Sequence, residues 1–228
     1  NHSITPLKAG QLTKALIEQA VADGTGITLT LSGPMNDTDA QALYDYFNGG
    51  NDTHVSALDM SGVTGLTTIK ARTFFNAAFL ENVKLPASVT KIENDAFRGC
   101  ALLGTITADN VTTVRSYAFY NCSNLAVLSL PSVTTLYDSG VFGYCPNLTT
   151  LKLTSPNFDG KFGAGCFKSV FTEYINLYVH EKLKSNVNKV SAPDGSVVYK
   201  FKNSQNGENI KFKSIKLVND NGNEVPFE

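Results

Sequence analysis

A phenylalanine recurs in this chain at a nearly constant interval: Phe74, Phe97, Phe119 and Phe142, in steps of 23, 22 and 23 residues. Other residues keep fixed offsets to it. Three positions later stand Ala77, Cys100, Cys122 and Cys145. Leu80, Leu103, Leu125 and Leu148 follow at six, and Val83, Ile106, Leu128 and Leu151 at nine. Leu85, Ala108, Leu130 and Leu153 close the pattern at eleven. A periodic chain of this kind cannot bury the apolar edge of one unit alone, so its units must stack and the ends must be covered.

The last three columns spell L-x-x-L-x-L, as in LAVLSL and LTTLKL, the strand signature of a leucine-rich repeat. The final L-x-L alternates inward and outward side chains, as a strand does. Pro86 and Pro131 end two of these strands. A second apolar pair follows the first three strands: Val89/Ile92, Val111/Val114 and Val133/Leu136. VSALDMSGV, from Val55, reads as an earlier, degenerate strand, and INLYVH, from Ile175, as a last one with Leu177 and Val179 inward. Around SPNFDGKFGAGCF the spacing fails, and its three glycines predict an irregular loop or an expanded coil. The expected fold is α/β: a leucine-rich repeat solenoid of about six coils over residues 54–180. Residues 1–53 are expected to form a helix–strand–helix cap and residues 181–228 a β-rich cap, folding with the repeats as one cooperative domain. The N-terminal cap rests on the helical spacing of Leu12, Leu16, Ile17 and Ala20, on the alternation of ITLTLSG, and on the helix start in NDTDAQALYDYF. At the other end SVVYKFK and IKFKSIKLV alternate like strands on either side of a turn-rich NSQNGEN.

The unit Ala-Phe-x-x-Cys-x-x-Leu, with proline after the strand, resembles the BspA-type leucine-rich repeats of surface and secreted proteins of Bacteroidetes and some mucosal protists. The likeness covers residues 54–180. The leading stretch resembles the cap of such proteins, and LYVHEKLKSN their exit segment, with His180 where a proline commonly stands. The resemblance implies a non-enzymatic, extracellular or outer-surface adhesion or binding protein, whose partner is a protein, host matrix or plasma proteins among the options. It brings no catalytic residues with it.

Most chemistry is disfavoured by the residues themselves. The net charge is −1, against the basic excess a nucleic-acid binder needs. No G-x-S-x-G, P-loop, H-E-x-x-H or dinucleotide fingerprint occurs, so no catalytic residue and no cofactor is expected. The four cysteines are not in CxxC spacing, and His2, His54 and His180 lie far from them in sequence, so no metal site is expected. No run of 18 apolar residues exists to span a membrane. The opening NHSITPLKAG carries no signal pattern, and a removed signal or lipid-attachment segment is expected in a native precursor. A monomer is expected.

The column Phe74, Phe97, Cys100, Phe119, Cys122, Phe142 and Cys145 reads as packing, because Ala77 replaces cysteine without breaking the pattern. A buried thiol is the preferred reading. A disulfide between neighbouring coils is geometrically conceivable, and a reactive thiol is the third option. Recognition is expected on the outward strand positions: Asp59, Lys84, Thr107, Ser129, Lys152 and Tyr178, one per coil, with Glu81 and Thr150 in the paired positions before them. The alternatives are a bare polar sheet on a structural spacer or accessory subunit, and a carbohydrate-binding module, which would want clustered aromatics. Glycan triplets at Asn36, Asn51, Asn110, Asn121 and Asn147 are expected from composition alone. The C-terminal lysines, Lys182 to Lys216, read as edge-strand protection against aggregation.

Overall fold

The computed structural model describes residues 2–5, 8–49, 54–136, 139–170, 172–191, 197–203 and 209–227. The chain begins with β1 (His2–Ile4), α1 (Lys14–Val21), β2 (Ile27–Pro34) and α2 (Asp37–Phe47), so the expected helix–strand–helix is preceded by a short extra strand. β1 pairs parallel with β2. Asn36 starts α2 with a capping box, its side chain accepting from the Thr38 and Asp39 amides. The Asp39 carboxylate returns the bond to the Asn36 amide and also accepts from Gly10 and Leu12, tying the entering loop to the helix.

The repeats follow: β3 (Val55–Thr64), β4 (Thr68–Ile69), β5 (Asn82–Lys84), β6 (Lys91–Ile92), β7 (Thr105–Thr107), β8 (Thr113–Val114), β9 (Val127–Ser129) and β10 (Thr150–Leu153). The leucine strands stack in parallel, and so do β4, β6 and β8, which carry Ile69, Ile92 and Val114 in register. Single bridges from Thr113 to Thr135 and from Leu136 to Phe162 carry this second stack onward. A third ladder runs around the phenylalanine turn. The amides of Phe74, Phe97, Phe119 and Phe142 donate to Ala96, Ala118, Val141 and Cys166, the residues one coil on, at 2.8–3.0 Å.

That ladder settles the irregular region. Cys166 stands in the column of Ala96 and Ala118, so Phe167 is a fifth phenylalanine, displaced by two extra residues. SPNFDGKF is therefore an expanded coil, the second of the two expected forms, with Phe158 and Phe162 buried in it. The fourth cysteine does not belong to the column of the other three.

The inward side chains form one continuous core. Phe74, Phe97, Phe119 and Phe142 are fully buried and stack at 5.0, 5.5 and 6.4 Å between ring centroids. Phe47 of α2 meets the first ring edge-on at 5.0 Å, and Phe167, Phe162, Phe201 and Phe212 continue beyond the last, so both ends of the stack are closed by aromatic packing.

After β11 (Asn176–His180), the chain forms β12 (Val187–Ser191), β13 (Val197–Lys202), β14 (Asn209–Phe212), β15 (Ser214–Val218) and β16 (Glu224–Val225). The stretch IKFKSIKLV, expected to alternate as a unit, divides. β14 closes a three-stranded antiparallel sheet with β13 and β12, whereas β15 joins β11 in parallel. Lys213 lies at the division, its amide donating to Ile175. Most of the linker NSQNGEN lies outside the described residues. The edge-strand reading of the lysines fits Lys189 on β12 and Lys211 on β14. It fails for Lys200 and Lys202 on the central β13, and for Lys216, whose strand is covered by β16.

Candidate binding face

The outward row is built by register. Ser3, Thr30, Asp59, Lys84 and Thr107 are successive partners across β1, β2, β3, β5 and β7. Ser129, Lys152, Tyr178 and Lys216 are successive partners across β9, β10, β11 and β15. Between β7 and β9 no strand pairing is made, so the row falls into two five-stranded sheets rather than one. Lys216 was not foreseen as a member, because its strand lies beyond the repeat and follows a different spacing.

The two halves differ electrostatically. In the first, Lys84 Nζ donates to Asp59 at 3.0 Å, and the Ser61 hydroxyl and amide donate to the same carboxylate at 2.6 and 3.0 Å. Burial pushes the Asp59 carboxyl up, but these hydrogen bonds and the Lys84 charge outweigh it and hold the group below its ordinary value. In the second half the Tyr178 ring lies between two ammonium groups, Lys152 Nζ and Lys216 Nζ, each 5.3 Å from its centroid. The Lys216 ammonium is held above its ordinary value, chiefly by its hydrogen bond to Glu224 at 2.8 Å.

The neighbouring row reads Ala57, Asn82 and Thr105 on the first sheet, and Val127, Thr150, Asn176 and Ser214 on the second. Thr105 bonds to Asn82, and Ser214 to Asn176 at 2.8 Å. Val127 stands 49% exposed, a branched apolar side chain on a mostly polar face. Glu81 is exposed beside β5, its carbonyl accepting from Gly104 and Thr105.

The cysteine column faces away from solvent and makes a bond that the sequence did not announce. Cys100, Cys122 and Cys145 each donate through Sγ to the carbonyl of the phenylalanine one coil back, Phe74, Phe97 and Phe119, at 3.0–3.1 Å. Ala77 stands in the first of these coils, with no earlier coil to supply such a carbonyl. All four cysteines are free and buried. Burial pushes Cys100 up to about 12 and Cys145 up to about 11, and raises Cys122 and Cys166 as well. These are protonated packing groups, not nucleophiles.

Asparagines and threonines form similar coil-to-coil bonds. Asn110 Nδ2 donates to Ala87 and Asn147 Nδ2 to Ser123, both at 2.8 Å, so the nitrogens a glycan would occupy at these two triplets are engaged. Asn51 lies outside the described residues. His180 is buried where β11 ends. Its Nδ1 accepts from the Lys182 amide, so Nε2 carries the proton and donates to Asp220 at 3.1 Å. Among the described residues no three His, Cys, Asp or Glu side chains are grouped to hold a metal, and no helix is long and apolar enough to cross a membrane.

The model of the BspA type leucine rich repeat region matches residues 67–192 in six copies. The chain belongs to this family. In this BspA-type chain the matched copies begin after β3, later than the expected start at residue 54, and end after β12, beyond the expected end at residue 180. The comparisons with curated proteins and with solved structures gave no match.

Proposed function

We propose that this BspA-type chain is a short, monomeric, non-catalytic solenoid that binds a protein partner on its sheet face, outside the cell or on its outer surface. Repeat modules of this family act as interaction scaffolds, and host matrix and plasma proteins are the partners to test for a bacterial surface protein of the Bacteroidetes kind. The observation that carries the reading is the in-register group Lys152, Tyr178 and Lys216, on the sheet that also exposes Val127 two strands away. A tyrosine held between cations has the composition of an interface hot spot. The Asp59–Lys84 half is already neutralised within itself and contributes less.

Immobilised protein exposed to purified matrix and plasma proteins tests this. Capture of a defined protein that falls at least tenfold in Tyr178→Ala or Lys152→Glu supports the sheet face. Capture unaffected by both variants places recognition elsewhere, and no capture favours a structural spacer.

A further inference from the structure

Around the phenylalanine turn every coil has two residues in left-handed backbone, two positions before the ring and two after it. Glycine or asparagine fills five of these ten positions, as left-handed geometry favours. Tyr117 and Tyr144 do not suit it, yet they hold φ of 58° and 56°. The two residues are 37% and 39% exposed, so burial does not explain them. The repeat imposes this backbone in every coil, on Arg72, Asp95 and Ser169 as well, so what sets these two coils apart is that a tyrosine occupies the position.

The next coil is shaped around these rings. A Cβ at Gly140 would lie 2.5 Å from the Tyr117 ring, and one at Gly143 would lie 2.8 Å from the Tyr120 ring. Tyr120 and Tyr144 meet at 5.0 Å. The Arg98 guanidinium stands 5.0 Å from the Tyr120 centroid, and Lys168 Nζ 5.9 Å from that of Tyr144. Asp95 accepts a hydrogen bond from Arg98 at 3.0 Å and stands 3.8 Å from Arg72, so Arg98 enters the groove already paired, and among the described residues no carboxylate pairs with Lys168. Arg98, Tyr117, Tyr120 and Lys168 line a groove of about 350 Å³ floored by glycine and alanine, with no acidic residue among those that line it. That is the lower end of the range for small-ligand sites.

The backbone here is closed to an added strand. The amides of Gly140, Gly143 and Tyr144 donate within the stack, to Ala164, Gly140 and Lys168. Recognition must come from ring faces, hydroxyls and cations. Ring faces attract the weakly positive C–H face of a pyranose, and the unpaired Lys168 ammonium, with the N–H groups of Arg98 that Asp95 leaves open, suits a carboxylate. We propose that this groove binds an acidic saccharide, its sugar ring against the tyrosines and its carboxylate between Arg98 and Lys168. It is a second site, at a different edge of the coil from the sheet face, and does not depend on that face binding anything.

Titration of the intact chain with hyaluronan tetrasaccharide, with chitotetraose as the neutral counterpart, is the test. The acidic probe is expected to bind and the neutral one to bind at least tenfold more weakly. Affinity should fall at least tenfold in Lys168→Gln and in Tyr117→Gly, while the Tm of Tyr117→Gly is not lowered, because glycine accepts its backbone. Lys152→Glu on the sheet face should leave saccharide binding unchanged. No binding of the tetrasaccharide, equal binding of chitotetraose, or binding that survives Lys168→Gln would each overturn the proposal. So would capture of a polyglutamate peptide in preference to the sugar.

Discussion

A thiol in the cysteine column fills the volume of a small apolar side chain and also donates to a phenylalanine carbonyl in the coil before it. Alanine keeps part of the first property and loses the second. Cys122→Ala should cost about 1–2 kcal/mol, read from denaturant midpoints, since the Phe97 carbonyl keeps its bond from the Cys100 amide. The raised thiols also set a pH dependence. The folded state holds its protons above the ordinary thiol value of 9.0, where the unfolded chain releases them. The stabilisation is therefore complete below about pH 9 and declines as pH rises, towards about 12 for Cys100 and about 11 for Cys145, by about 1.4 kcal/mol per pH unit for each of the two. Cys100→Ala should show a shallower alkaline decline than the parent. Iodoacetamide at pH 8 should modify none of the four cysteines in the native protein and all four in denaturant. Rapid native labelling of any would show that it is not buried as described.

At the level of elements, what the sequence made legible was what repeats. Phe, Cys and Leu hold fixed offsets because each contacts its own counterpart one coil away, so the core columns could be read directly. α2 was legible for a local reason, the capping residues at Asn36 and Asp39 and an apolar helical face. Features that depend on distant partners were not. β1 is three residues that become a strand only against β2. Phe167 was hidden by two inserted residues, and Lys213 gives no sign that the chain changes sheets there. On the candidate face the outward row was legible in register, but Lys216 beside Tyr178 was not, nor was the tyrosine groove, whose members lie in turns rather than strands. Two changes probe the N-terminal cap. Asp39→Ala removes the acceptor of three amides, those of Gly10, Leu12 and Asn36, and should cost about 2–4 kcal/mol. Phe47→Ala uncovers the first ring of the stack and should cost about 3–5 kcal/mol. If either is nearly neutral in thermal or denaturant unfolding, the cap does not close the repeats in the way its contacts imply.

For the molecule as a whole, stability in a stacked chain is the sum of what each coil contributes and what each pair of neighbours adds. The weakest neighbour pair then governs partial opening. Here that pair is the one between the coils of β7 and β9. Its sheet side is unpaired, whereas its other sides are held by the Phe97–Phe119 stack at 5.5 Å, the Cys122–Phe97 bond at 3.1 Å and the Asn124 amide on Ala101 at 3.0 Å. At the entrance to β7 stands Gly104, in the column that Glu81, Ala126 and Thr149 fill elsewhere. Glycine there adds freedom to the unfolded chain and gives the strand no side chain to pack. Its backbone does not require glycine, and a Cβ would come no closer than 3.5 Å to Asn124. Gly104→Ala should therefore stabilise the protein by about 0.4–1 kcal/mol. It should also slow native-state hydrogen exchange in Thr105–Thr107 and Val127–Ser129 more than in β10 or β11, because the gain lies at the seam. A loss of stability would mean that the seam needs glycine for close approach. An even slowing across all strands would mean that the two sheets open together and the seam is not the weak point.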